Sequence, residues 1–339
     1  MARVTIQDVA QAAGVGIATV SRVAHGHASV TPALRERVTL AMAELGYEPD
    51  PAAQSMRTRS SRTIACAIRD IAIPEFGAFV RAAEAVTRAA GYTLILTNTD
   101  ETVQQELDLV RLWTRRRVDG LLTTKSADQD PSLNAALEKA ALPVVLIDRD
   151  ASDHADAVTI DHRRGMRAAV DYLVFLGHEH IAFLTGSPAT RPGRERLAAF
   201  QEAMSAHGLP VRPELMNAQS FYAERAFHHA SLILGAKPAP TAIIAGGMAL
   251  LSGVLRAVRL RGLVIGQDIS VIAGCDSDLA ELATPAITAI RWDIPAWGRI
   301  SAQLLLDRIA APGTSGGRQI LLPTELVTRS SCSAPGRPR

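Results

Sequence analysis

Thr5-Ile6-Gln7-Asp8-Val9-Ala10-Gln11-Ala12-Ala13-Gly14-Val15-Gly16-Ile17-Ala18-Thr19-Val20-Ser21-Arg22-Val23 lies close to the start of the chain and decides how the rest is read. Thr5 followed three residues later by Asp8 has the form of a capping box. Ile6, Val9, Ala10 and Ala13 then fall at i, i+3, i+4 and i+7, one apolar stripe of a helix that Gly14 ends. A second short helix is expected from about Gly16. At 100° per residue its Thr19, Val20 and Val23 share one side, while Ile17, Ala18, Ser21, Arg22 and His25 occupy an arc of roughly 140° on the other. Thr31 as cap and Pro32 at the first position begin a third helix, which buries Leu34, Val38, Ala41 and Leu45 and stops at Gly46.

Two short helices joined at a glycine and braced by a third form a helix-turn-helix unit, which offers its second helix to a DNA major groove. Arg22 then suits bidentate reading of guanine, and Ile17 and Ala18 suit thymine methyls. The same pattern also fits an ordinary three-helix bundle with Ile17 in its core and Arg22 merely solvated. Charge favours neither strongly. Net charge is +2 over 339 residues, and that surplus lies in residues 1–62, where seven arginines meet five acids. Such a placement is compatible with phosphate contact but does not require it.

The residues themselves go further. Thr5 to Ala10, Gly14-Val15, Ala18 to Val23, Arg35-Glu36-Arg37-Val38 and Glu44-Leu45-Gly46-Tyr47 together resemble the headpiece of the lactose-repressor/galactose-repressor (LacI/GalR) family. The resemblance implies that Ile17, Ala18 and Arg22 read bases. It implies that Thr5, Thr19, Ser21 and Thr31 support the helix or touch phosphate, and helical geometry puts His25 on the arc of Ile17, Ala18 and Arg22. Gly16 departs from the family's usual Ser or Thr, which weakens a cap and a phosphate contact.

Pro49-Asp50-Pro51-Ala52-Ala53-Gln54-Ser55-Met56 is a one-turn helix candidate with Asp50 as cap and Pro51 at its first position. So short a helix is marginal alone. The resemblance implies that two copies fold together in the minor groove, with Ala53 and Met56 at the DNA and Met56 in the place of the usual Leu wedge. Methionine is among the apolar residues that can intercalate.

From Thr63 onward, short apolar runs (Ile64–Ile68, Leu94–Leu96, Val144–Ile147, Val158–Ile160, Ile181–Leu184, Ala242–Ile244, Ser270–Ala273) alternate with amphipathic helices. The helices are Phe76–Ala90, Val103–Arg116, Arg164–Leu176, Arg194–His207, Ala223–Leu234 and Leu250–Arg261. Such βα alternation predicts parallel sheets covered on both faces, and the length predicts two lobes with a cleft between them. Val158-Thr159-Ile160-Asp161-His162, Leu176-Gly177-His178, Asp268 to Ile272, Thr284-Pro285 and Leu322 to Leu326 extend the resemblance to an effector domain of the periplasmic-binding-protein fold. There the chain crosses between lobes three times.

The expected architecture is therefore a small all-α headpiece (1–48), a hinge (49–62), a two-lobed α/β effector-binding and dimerisation domain (63–329) and a disordered tail (330–339). The lobes are expected near 63–161 with 291–321, and 162–290 with 322–329.

Matching positions imply an effector site. Arg196 suits hydroxyls or carboxylates, Asp276 suits hydroxyls, and Asp70, Phe76, Asp148, Phe221, Met248 and Trp292 are further candidates to line the cleft. Ala245-Gly246-Gly247-Met248 replaces the family's usual Ala-Asn-Asp segment, and its glycines are expected to let backbone approach a ligand. Arg191, Arg194 and Arg196 near one pocket favour an anionic effector such as a sugar acid.

Phosphate-loop, dinucleotide, nucleophile-elbow and zinc-protease motifs are absent, so no cofactor and no enzyme is expected. His178-Glu179-His180 reads as a helix exit feeding a strand rather than a metal site. Three scattered cysteines, no apolar span and no leader pattern fit a cytoplasmic protein, on the nucleoid when bound to DNA and in no membrane. One headpiece reads half a site, so a homodimer on a pseudo-palindromic operator is the expected assembly. A solute receptor with an attached helical module, a sugar-metabolising enzyme, and a corepressor-dependent or activating regulator are the alternatives.

Overall fold

The computed structural model describes residues 4–24, 29–47, 60–311, 313 and 317–336. The chain divides into two separately compact units, residues 1–62 and 63–339.

In the first unit, α1 (Ile6–Ala12) starts at a complete capping box. Thr5 N–H and Oγ1–H each donate to Asp8 Oδ2 at 2.8 Å, and Asp8 N–H returns to Thr5 Oγ1. This arrangement satisfies amide groups that the first helical turn leaves without partners. α2 (Ile17–Ala24) begins with the Gly16 carbonyl accepting from Thr19 N–H at 2.8 Å, where glycine offers no side chain to assist. α3 (Pro32–Leu45) follows an extended Thr31 whose hydroxyl makes no capping bond, so Pro32 and the backbone alone set that start. Val9, Ala10, Ala13, Val20, Val23, Val30, Val38 and Ala41 form the core, with Leu34 and Leu45 at its edge.

The second unit holds two six-stranded sheets. The first comprises β1 (Thr63–Ile68), β2 (Thr93–Asn98), β3 (Gly120–Thr123), β4 (Val144–Ile147), β5 (Asp156–Ile160) and β11 (Gln319–Leu322). Their order is β11-β5-β4-β3-β1-β2, parallel throughout. The second comprises β6 (Ile181–Thr185), β7 (Met216–Ala218), β8 (Ala242–Gly246), β9 (Ser270–Ala273), β10 (Thr288–Arg291) and β12 (Glu325–Val327). Their order is β12-β10-β9-β8-β6-β7, with only β12 antiparallel to its neighbour. β1, β3, β4, β5, β6, β8 and β9 are buried almost end to end, as parallel strands covered on both faces must be.

The helices that place the cleft are α4 (Pro74–Ala89), α5 (Val103–Arg116) and α6 (Pro131–Ala140) in the first lobe. In the second lobe they are α7 (His162–Phe175), α8 (Arg191–Ala206), α9 (Ala223–Ile233), α10 (Leu250–Leu260) and α11 (Asp278–Leu282). α12 (Ile294–Ala310) returns to the first and packs along α4.

The chain changes sheet after β5, after β10 and after β11. Asp161 and Asp293 cap the helices that receive the first two crossings, accepting from Arg164 N–H at 3.0 Å and Ala296 N–H at 2.7 Å. Thr324, buried in the third, donates its hydroxyl to Asp161 O at 2.8 Å, and Asp161 N–H donates to Leu322 O. Two crossings are thereby tied into one hinge.

The end of the chain corrects one expectation. Residues 330–336 are not a disordered tail but lie against the second sheet. The Ser331 hydroxyl, fully buried, donates to Val271 O at 2.6 Å and accepts from Thr288 N–H at 2.9 Å. His178, the first residue of the His178-Glu179-His180 cluster, is held there by Thr241, Ser270 and Ser333 O.

Candidate functional site

On α2 the apolar pair Val20 and Val23 is buried against the headpiece core, and Thr19 and Ser21 are half-buried. Ala18 and Arg22 are exposed, and Ile17 is 45% exposed. That removes the bundle reading in which Ile17 fills the core. A large aliphatic and an arginine share an exposed face on a helix whose other side is anchored. Thr5 and Thr31 are exposed as well. His25, Ala53 and Met56 lie outside the described residues.

In the second unit the candidate cleft lies between the lobes and has two chambers. The inner one encloses about 430 Å³ of empty space, counting its mouth, and is lined by charged strand-end residues with a few apolar walls. Arg69 follows β1, Thr124 follows β3, and Asp148 and Arg149 follow β4, the place where parallel sheets present ligand-binding groups. Arg196 on α8 and Phe221 and Met248 from loops close it from the other lobe, and Phe76 and Trp297 form its apolar side. The outer chamber shares Phe221 and Met248 and adds Asp70, Glu75, Glu224, Asp276 and Asp278.

Asp148 is the organising carboxylate. Its backbone takes a left-handed φ of 52°, uncommon for a residue with a side chain. Oδ1 accepts from Ile160 N–H at 3.1 Å and from Arg191 at 3.3 Å, and Oδ2 meets His162 Nε2 at 2.7 Å. Burial works to raise its pKa, but His162, Arg191 and Arg196 reverse that and hold the group well below the usual carboxylate range. Burial and the neighbouring Arg196 push His162 down to about 4, so its imidazole is neutral near pH 7 and donates Nε2–H to Asp148.

Most other charges are paired internally. Arg69 meets Glu101 at 3.3 Å, Arg149 meets Asp128 at 3.4 Å, Arg194 meets Asp150 at 2.6 Å, and Arg329 grips both oxygens of Asp276 at 2.7 and 2.8 Å. Arg196 differs. It is 4% exposed, and among the described residues no acceptor bonds its guanidinium; the Phe221 ring lies 5.9 Å from it.

Phe76, Asp148, Arg196, Phe221 and Met248 thus come together in the inner chamber, and Asp70 and Asp276 join the outer one. Trp292 lines neither chamber. It is buried edge-on to His162 with ring centroids 6.0 Å apart, behind the wall rather than in it. Trp297 lines the inner chamber instead, with Nε1–H donating to Val158 O at 3.2 Å. Arg191 and Arg194 do not line it either, because the acids of the opposite lobe engage them. Sequence reading missed Arg69, Glu101, Thr124, Arg149 and Pro192 in the inner chamber. The available signal was a charge directly after a buried apolar run, as in Ile68-Arg69 and Ile147-Asp148-Arg149.

Residues 5–50 match the model described as bacterial regulatory proteins, lacI family, and residues 170–332 match the periplasmic binding protein-like domain. The regulator DegA of Bacillus subtilis is 31% identical over 338 residues, covering 98% of each chain. This chain belongs to the LacI family of transcription regulators. The repressor PurR of Erwinia tasmaniensis is likewise 31% identical over 98% of both chains. Among solved structures, the lac repressor dimer bound to operator and the anti-inducer ONPF superposes with a TM-score of 0.84. It shares 30% identity over 98% of this chain and 100% of that one. The CelR–cellobiose complex superposes at 0.73 with 30% identity, over 97% and 100%.

Gly246 and Gly247 have a packing role in this LacI-family chain. A Cβ at Gly246 would lie 2.6 Å from the Phe183 ring and 2.9 Å from Leu184 O, and one at Gly247 would lie 2.8 Å from Phe221. The glycines leave room for the protein's own aromatic rings.

Proposed function

We propose that this LacI-family chain is a repressor. In this reading it grips a pseudo-palindromic operator as a cytoplasmic homodimer, and a small-molecule effector, a sugar or sugar acid, sets that grip from the interlobe cleft. The observation that carries the DNA half is the exposed Ile17–Ala18–Arg22 face on a helix anchored by Val20 and Val23. A guanidinium there reaches base edges, and a two-fold pair of such helices reads two half-sites about one DNA turn apart. The relatives support both halves: one is a repressor dimer on operator DNA and another a regulator complexed with cellobiose.

Arg196, Asp148 and Phe221 are the effector contacts in this reading, and no residue is assigned a catalytic role. The interlobe ion pairs of Arg191 and Arg194 with Asp128, Asp148 and Asp150 hold one lobe arrangement. An effector that favours another arrangement shifts the balance by its differential affinity alone. Met56 and Ala53 are assigned to the minor groove.

Selection of DNA from a random pool by the full chain tests the proposal. Palindromes should be enriched. Arg22→Ala should lose that preference, with the selected site weakened at least about tenfold, while thermal stability stays unchanged. A wild-type protein that binds all duplexes alike would sink the reading.

A further inference from the structure

Arg115, Arg116 and Arg117 form an unbroken run of cations where α5 ends, and all of them are exposed. Among the described residues none pairs with a carboxylate, whereas Arg111, one turn earlier on the same helix, meets Asp108 at 3.0 Å. The run is held on a fixed turn. Trp113 before it and Val118 after it are each 4% exposed, so the chain is anchored on both sides. Arg117 N–H donates to Thr114 O and Val118 N–H to Trp113 O, each at 3.2 Å, the paired bonds of a helix that ends through a left-handed residue. That residue is Arg117, with φ 53°, where glycine is the ordinary occupant.

Sheet topology decides where this turn lies. All strands of the first sheet run parallel, so their starts share one edge and their ends the other. Arg69, Thr124 and Asp148 put the cleft at the ends. The arginine run lies at the starts, because Asp119 N–H donates to Thr63 O at 2.8 Å. Thr63 is the residue at which the chain arrives from the DNA-binding unit.

The segments leading into β1, β2 and β3 (60–62, 90–92 and 115–119) hold Arg62, Arg115, Arg116 and Arg117 against a single acid, Asp119. Farther along the same edge Arg308 and Arg318 are neutralised by Asp156 at 2.8 and 2.9 Å. Residues 63–339 carry equal numbers of basic and acidic side chains, so the surplus beside β1 is local.

We infer that Arg115, Arg116 and Arg117 form a second DNA contact, through which the effector domain grips duplex phosphates independently of sequence. The inference rests on the DNA-binding role of the chain and adds a surface outside the headpiece. A guanidinium pairs with two phosphate oxygens at once, and such contacts position a protein on the duplex without reading bases. The negative end of a helix dipole also favours cations, and by itself would place arginines here with no partner. The salt dependence of binding separates the two.

Fluorescence anisotropy with the full chain tests this, using a duplex that carries the palindrome it selects and a mixed-sequence duplex of equal length, over a salt series. The variant combines Arg115→Gln, Arg116→Gln and Arg117→Gly, which keep the helix and suit its left-handed end. At low salt it should bind both duplexes about tenfold or more weakly while leaving the ratio between them unchanged. The slope of log affinity against log salt should fall by about 2 or more, which is one phosphate contact in each protomer of a dimer at roughly 0.9 apiece. Arg111→Gln should keep the wild-type slope, and Arg22→Ala should reduce the ratio instead. Melting temperature and sedimentation of the combined variant should match the wild type.

A wild-type slope in the combined variant overturns the inference. So does an equal loss in Arg111→Gln, which would make the effect one of overall charge. Dissociation of the combined variant into monomers also overturns it, and assigns the run to a contact between subunits. If wild-type protein prefers neither duplex, the repressor reading fails, while the arginine contact still stands or falls on the slope measured with mixed-sequence DNA.

Discussion

Gly186→Ala is a small change with a large expected effect. A Cβ at residue 186 would lie 1.9, 2.1 and 2.3 Å from three carbons of the Phe221 ring. Ordinary carbon contact needs about 3.5 Å, so the ring must retreat by roughly 1.5 Å. It cannot do so freely, because Gly247 bounds it at Cδ1, and Arg69 at 5.2 Å and Arg196 at 5.9 Å lie over its face. Overpacking of this kind costs about 1–3 kcal/mol. For a unit of this size that lowers the melting temperature by several degrees.

The assay is chemical and thermal unfolding of Gly186→Ala, Phe221→Ala and the double variant. Phe221→Ala alone should cost about 3–5 kcal/mol if its ring is as well packed as its burial indicates. In the double variant the added methyl enters space the ring has vacated. The two costs should then fall short of additivity by at least about 1 kcal/mol. Additive costs, or a Gly186→Ala protein as stable as the wild type, would refute the claim that this glycine exists to seat Phe221.

Two other outcomes follow from buried polar groups. The folded pKa of His162, about 4, lies below its ordinary 6.5, so burial as the neutral form stabilises the fold fully above pH 6.5. That contribution is lost as pH falls from 6.5 toward 4, because the unfolded chain then takes up a proton the folded one refuses; the loss is on the order of 3 kcal/mol. Urea midpoints between pH 7.5 and 4.5 should show that slope, and it should flatten in His162→Gln; an equal slope in both proteins contradicts the assignment. Ser331→Ala leaves Thr288 N–H and Val271 O without their hydroxyl partner. Denaturant unfolding should register a loss of about 1–3 kcal/mol, whereas a disordered tail would register none.

Much of the molecule was legible without coordinates, for a local reason. The capping box at Thr5 and Asp8, the stripe Ile6–Val9–Ala10–Ala13 and the division of α2 into a Val20–Val23 side and an Ile17–Arg22 side depend only on helical geometry over a few residues. α5 falls on Val103–Arg116 as its amphipathic pattern predicts, and β4 and β9 coincide with their apolar runs. Chain length and βα alternation pointed to two lobes, and the family resemblance pointed to Arg196 and Asp148.

Where periodicity is weak, the reading stopped. α12 packs along α4 and across the first sheet, so its apolar residues face several ways. It went unread, together with Trp297. β3, four residues long and entirely buried, has no alternation to detect.

Which charges remain available to a ligand was decided only in three dimensions. Arg191, Arg194 and Arg196 stand within six residues of one another on α8, and nothing in that spacing distinguishes them. Folding brings Asp128, Asp148 and Asp150 from the other lobe against the first two and leaves the third facing the cleft. The same holds for Trp292 behind the wall, for glycines at 186 and 247 that seat a ring far along the chain, and for Ser331 inside the second sheet. Sequence periodicity specifies which face of a helix or strand is apolar. Partnership between groups tens to hundreds of residues apart depends on the packing of whole elements, which no local pattern encodes.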